Sequence, residues 1–118
     1  MPPSKRDEAR TERRLAATLT EACETAEAHI PGFVWLTHLV DYAAFPQSLR
    51  VVWVFDTHAH QQEALAAGHG EFMVQLTAMA LAEADITLDP VAPHVHFDAE
   101  DQCLRSHGGD WRRRLARG

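Results

Sequence analysis

The chain has one lysine among 118 residues, Lys5, and that scarcity removes several chemistries at once. Schiff-base catalysis and phosphate cradling by a P-loop both need a placed lysine, and Lys5 lies in a charged stretch ahead of the first apolar stripe. Serine occurs only at Ser4, Ser48 and Ser106, none in the glycine-flanked setting of a nucleophile elbow. No G-x-G-x-x-G is present, and Gly68-His69-Gly70 is too slight to replace one. Two cysteines, Cys23 and Cys103, cannot make a disulfide framework and suit a reducing cytoplasm. Cys23 falls on an apolar helix stripe, where thiols are inert packing, and Cys103 has acidic neighbours that raise a thiol pKa. No apolar run approaches the roughly 20 residues of a membrane span, and the start M-P-P-S-K-R-D-E lacks a signal-peptide core. The expectation is a soluble cytoplasmic protein with no assembled catalytic residues.

What remains is the composition of one globular domain, 46% hydrophobic and 24% charged. The net charge of −6 conceals a layout. Lys5, Arg6, Arg10, Arg13 and Arg14 against Asp7, Glu8 and Glu12 make residues 5–14 net +2. Arg105, Arg112, Arg113, Arg114 and Arg117 against Asp110 make residues 105–118 net +4. The body between holds Arg50 against 13 acids, a net of −12. Basic termini on an acidic body could meet an anionic partner or simply be solvated. Eight histidines would move the formal charge from −6 to +2 on full protonation, so association could depend on pH.

Residues 1–14 read as a charged, frayed helix start, and 15–118 as one α+β domain. Ser4 is placed to cap the helix and Pro31-Gly32 to stop it. Leu15, Leu19, Ala22, Cys23, Ala26 and Ile30 form one stripe between them. Phe33–Tyr42 and Leu49–Phe55 are β-branched and aromatic, and the loop between them suits a hairpin. Both of its faces are apolar, with Val52 and Val54 on one and Val51, Trp53 and Phe55 on the other. A sheet with one wet face needs only one such row, so something must cover the second, and a partner subunit would serve.

A helix is expected from His58, capped by Asp56 or Thr57 and interrupted at Gly68-His69-Gly70. Phe72, Met73, Leu76, Met79 and Ala80 then make another stripe. Residues 86–88 and 94–97 read as two short strands, or one strand and an extended arm. Asp98 would cap a short helix closed by Gly108-Gly109, and Trp111 would anchor the Arg-rich tail. The predicted order is α-β-β-α-β(β)-α, a small antiparallel sheet with helices mainly on one face.

Two histidine groups invite a metal. His58-Ala59-His60 resembles the start of the H-x-H-x-D-H motif of metallo-β-lactamase-fold hydrolases, but Gln62 and Glu63 stand where Asp and His belong. On a helix the two rings diverge by about 200° and cannot share an ion. His94, His96 and Asp98 are better placed, since alternate strand residues share a face, and His38 could join them from the hairpin. Zinc or another divalent transition metal would be the ion.

Five stretches carry a resemblance: P-G-F-V-W-L-T-H (31–38), F-P-Q-S-L (45–49), F-D-T (55–57), H-F-D-A-E-D-Q-C (96–103) and G-D-W (109–111). With these the chain resembles a family of small uncharacterised bacterial proteins, with a PGFxWLTH…FPxSL…FDT core, often labelled Fis-family transcriptional regulators. The resemblance implies no particular activity. A Fis-type regulator also needs a C-terminal helix-turn-helix, whereas the last 35 residues hold two prolines, H-V-H-F and a double glycine.

The leading expectation is a non-catalytic cytoplasmic interaction or regulatory module, homodimeric through the sheet, with Trp35, Trp53, Phe55 and Trp111 in core or interface. The alternative is a nucleic-acid-associated transcriptional regulator using Arg10, Arg13, Arg112, Arg113, Arg114 and Arg117. A second alternative is a metal-binding protein using His94, His96, Asp98 and His38.

Overall fold

A computed structural model describes residues 4–116. Helix α1 (Lys5–Glu27) starts where the Asp7 N–H donates to Ser4 Oγ, so the charged stretch is helical from its cap onward. Its buried stripe of Leu15, Leu19, Ala22 and Ala26 packs on a three-stranded sheet and on a later helix over residues 69–83. Strands β1 (Phe33–Leu39) and β2 (Arg50–Phe55) pair antiparallel, with Leu36 opposite Trp53 and His38 opposite Val51. The register slips between Phe33 and Trp35, leaving Val34 as a bulge residue.

The third strand corrects one expectation. Strand β3 (Val95–Ala99) runs parallel to β2, so the sheet is mixed, in the order β1-β2-β3. A parallel neighbour requires a long crossover, which helices α2 (His58–Ala66) and α3 (His69–Glu83) supply. Gly68 separates those helices at φ +87°, a left-handed turn that suits glycine. Residues 86–88 are not a strand, although Ile86 is buried and closes the core. Met79 also leaves the predicted stripe and is 60% exposed, whereas Met73 is fully buried.

Under α1 and α3 lies the larger core. Val51, Trp53, Phe55, Phe33, Leu15, Leu19, Met73 and Leu81 are buried there, and each large side chain contributes about 1.5–3 kcal/mol by leaving water. Trp53 Nε1–H donates to Thr77 Oγ1 at 3.1 Å, and the Thr77 hydroxyl donates to the Met73 carbonyl at 2.8 Å. The indole nitrogen and the hydroxyl are therefore buried with partners.

The opposite face is covered from within the chain, which removes the need for a partner subunit there. After β3 comes α4 (Glu100–His107), and Gly108 and Gly109, both at positive φ, reverse the path into α5 (Trp111–Leu115). Val52 and Val54 are 3% and 0% exposed beneath these helices. Asp98 does not cap α4, whose cap position is held by Ala99. Instead the Asp98 carboxylate receives Arg114 of α5 through two bonds of 2.6 and 2.9 Å. Beside that clamp, Trp111 stacks edge-on against Trp35 with ring centroids 4.9 Å apart. The Trp35 indole N–H donates to Glu100 at 3.2 Å.

Candidate functional site

Strand geometry divides the candidate metal ligands. His96 and Asp98 lie on the α5 side of β3, with both Asp98 oxygens engaged by Arg114. His94 precedes the strand, in a short 3-10 turn, and its Nδ1–H donates to the Leu49 carbonyl at 2.8 Å. His38 is on the opposite face, opposite Val51, where its Nε2 bonds the Glu12 carboxylate of α1. The sheet therefore stands between His38 and the pair His96 and Asp98. Among the described residues, no three His, Cys, Asp or Glu side chains come close enough to hold a metal ion. Partial burial of the His96 ring, with Arg50 and His94 nearby, pushes its pKa below the ordinary value.

The His58–His60 pair joins segments of the fold. Thr57 caps α2 by accepting the His60 N–H, and the His58 N–H donates to Asp101 Oδ1 at 3.0 Å. The His60 ring donates Nδ1–H to Asp56 Oδ1 at 2.7 Å. It lies directly over Gly32, where a Cβ would meet His60 Cβ at 2.5 Å, so only glycine fits. The carboxylate raises the His60 pKa and the imidazole lowers that of Asp56. Residues at the start of β1, α2 and α4 meet at this point. The His60 ring is held there by a carboxylate.

Of the arginines proposed for nucleic acid, Arg114 is turned inward onto Asp98, and its side chain is only 22% exposed. Arg10, Arg13, Arg112 and Arg113 are exposed, and Arg117 lies outside the described residues. Both basic segments approach the same end of the sheet. Glu12 of α1 reaches His38 near the end of β1, and the Arg50 guanidinium at the start of β2 donates to the Leu115 carbonyl of α5 at 2.9 Å. They do so on opposite faces.

The four aromatic core or interface candidates also separate. Trp53 and Phe55 are wholly buried, while Trp35 and Trp111 form the half-buried contact at the other face.

One feature went unread in the sequence: a groove of about 520 Å³ between α1 and the free edge of β1. Among the described residues, strand β1 has a neighbour on one side only, and residues 34–39 are all half-buried. Leu19 and Leu36 give the groove apolar walls, and Cys23 sits beside them. The Leu36 N–H points at the Cys23 sulfur, and the thiol donates to Glu27 at 3.8 Å. Burial, then the Glu27 charge, pushes the Cys23 pKa up, which keeps it a thiol. Glu24 and Glu27 are exposed along the α1 rim. At the groove's end, Glu12 binds His38 and accepts the Tyr42 hydroxyl at 3.1 Å. Burial and this carboxylate push the Tyr42 pKa up to about 12. In the sequence the groove is signalled only by Cys23 on the apolar stripe with Glu24 and Glu27 close by.

The fold and this groove define a class: an α+β domain whose three-stranded mixed sheet carries helices on both faces, with a groove along the outer edge of β1. No family model, curated protein or solved structure matches the chain. Among the described residues, no helix is long and apolar enough to cross a membrane.

Proposed function

We propose that the chain is a non-catalytic interaction module with a regulatory role in a reducing cytoplasm, binding its partner along the open edge of β1. The single observation that supports this is the outer edge of β1, without a strand neighbour among the described residues, beside an apolar groove in a sheet with helices on both faces. Unpaired strand N–H and C=O groups next to apolar walls suit strand addition. The polar side chains elsewhere have structural uses: Asp98 holds Arg114, Asp56 holds His60, and Glu12 holds His38 and Tyr42. The expected homodimer is carried forward only through this edge, since the face assigned to it is filled.

The test is photo-crosslinking in producing cells, with the reactive group placed at Thr37 in the groove or at exposed Met79 as a control. A discrete adduct at Thr37 alone is the expected result. Equal, diffuse labelling at both positions, together with a monomer mass by light scattering, overturns the reading.

A second reading is association with nucleic acid as a transcriptional regulator, favoured by the arrival of both basic segments at one end of the sheet. It would rely on Arg10, Arg13, Arg112, Arg113 and Arg117, without Arg114. A DNA or RNA shift at 50 mM salt that disappears by about 200 mM is its signature, and no shift at the lower salt rejects it.

A further inference from the structure

We infer that the β1 edge accepts an extended segment of another protein, with basic residues flanking an apolar one, as a fourth strand. This rests on the interaction reading above and names the partner's chemistry. The backbone supplies the first argument. The Leu36 N–H faces the Cys23 sulfur and not a strand, and a thiol is a weak acceptor. By the two-residue period of a strand, Leu36 and His38 turn their backbone groups to the free edge. The bulge at Val34 bends the edge on one side, which leaves Trp35–Leu39 as the pairing stretch.

Charge supplies the second argument. Among the described residues, the groove lining holds Glu24 and Glu27 but no lysine or arginine, and its one histidine, His38, is already bound by Glu12. The body of the chain, residues 15–104, carries the 13 acids against one arginine. An incoming strand that places an apolar side chain between Leu19 and Leu36 and a basic one beside Glu24 or Glu27 matches both wall and rim. A second copy of β1 fits less well. Antiparallel pairing about a two-fold axis perpendicular to the sheet would put both α1 helices on one face, with their acidic rims side by side.

The experiment uses fluorescein-labelled peptides and the full chain, read by anisotropy. The probes are Ser-Arg-Val-Arg-Leu-Arg-Val-Arg-Ser, the same peptide with Glu for Arg, and the basic peptide with alternate backbone amides methylated. The basic peptide is expected to bind about tenfold more tightly than the acidic one, and backbone methylation to cost about tenfold. The double variant Glu24→Lys/Glu27→Lys, both exposed, should reverse the charge preference with an unchanged melting temperature. Binding of the basic and acidic peptides within twofold of each other overturns the inference, as does indifference to methylation. So does a β1-paired dimer by light scattering. In each case a Thr37 crosslink that persists leaves the interaction reading standing, whereas its loss removes both.

Discussion

Strand β2 is buried on both faces of the sheet, but the two faces are held by different means. Under α1 and α3 the contact is apolar volume, with Trp53, Phe55, Val51, Met73 and Leu81 all at most 1% exposed. Under α4 and α5, among the described residues, only Val52, Val54 and Cys103 are comparably buried. A bidentate Asp98–Arg114 clamp and an edge-on pair of indoles complete that side. The difference follows from the covering elements. A 23-residue helix and a 15-residue helix offer long apolar stripes, while helices of eight and five residues cannot. Short helices need directional contacts to stay seated, because their buried area is small and isolated helices of that length are unstable.

Replacing Trp53 with alanine tests the apolar face and should have the largest effect. It empties a fully buried site and strands the Thr77 hydroxyl's second contact, costing about 3–5 kcal/mol in urea unfolding. A loss below 1 kcal/mol would mean that this face is not the main source of stability. Arg114→Ala tests the clamp. It leaves the mostly buried Asp98 carboxylate without its partner, and about 2–3 kcal/mol should be lost. Amide exchange should quicken in α4 and α5 well before it does in α1. Uniform quickening would refute the idea that the clamp serves only its own face.

Smaller effects sharpen the comparison. A double-mutant cycle on Trp35→Ala and Trp111→Ala should give a coupling of about 0.5–1.5 kcal/mol, as expected for an edge-on aromatic pair. Strict additivity would show that the rings touch without holding anything. Smallest is the pH dependence of the Asp56–His60 pair. His60 has its pKa raised from 6.5, so its contribution is whole below that value and fades as pH climbs through the raised one. Asp56, lowered from 3.8, keeps its contribution above that value and loses it as pH falls through the lowered one. The pair should therefore help most between about pH 4 and 6.5. NMR titration should place His60 above 6.5 and return it toward 6.5 in Asp56→Asn.

Periodicity and turn chemistry made much of the fold legible. The Ser4 cap, the α1 stripe, the hairpin, the break at Gly68 and the reversal at Gly108-Gly109 follow from local rules, and the observed elements obey them. Candidate sites were read less well, because a site depends on which faces meet. His94, His96 and Asp98 alternate correctly for a shared strand face, yet the strand begins one residue after His94, and Arg114 takes Asp98. His38 alternates onto the face of Val51 and not that of Val52, a consequence of the bulge at Val34, which no pattern announced. The groove was invisible for a similar reason. It lies between a helix and a strand edge, and its rim glutamates look in sequence like an ordinary solvated helix face.

Local chemistry along the chain was enough to dictate the first helix, the hairpin and the breaks at the glycines, and that β2 must be buried on both sides. Those outcomes depend on residues a few positions apart and on simple exclusion of water. The parallel seat of β3, the self-made cover over Val52 and Val54, and the open margin of β1 were settled only when distant segments packed. Arg114 meets Asp98 across sixteen residues and Trp35 meets Trp111 across more of the chain still, and no local preference encodes such encounters.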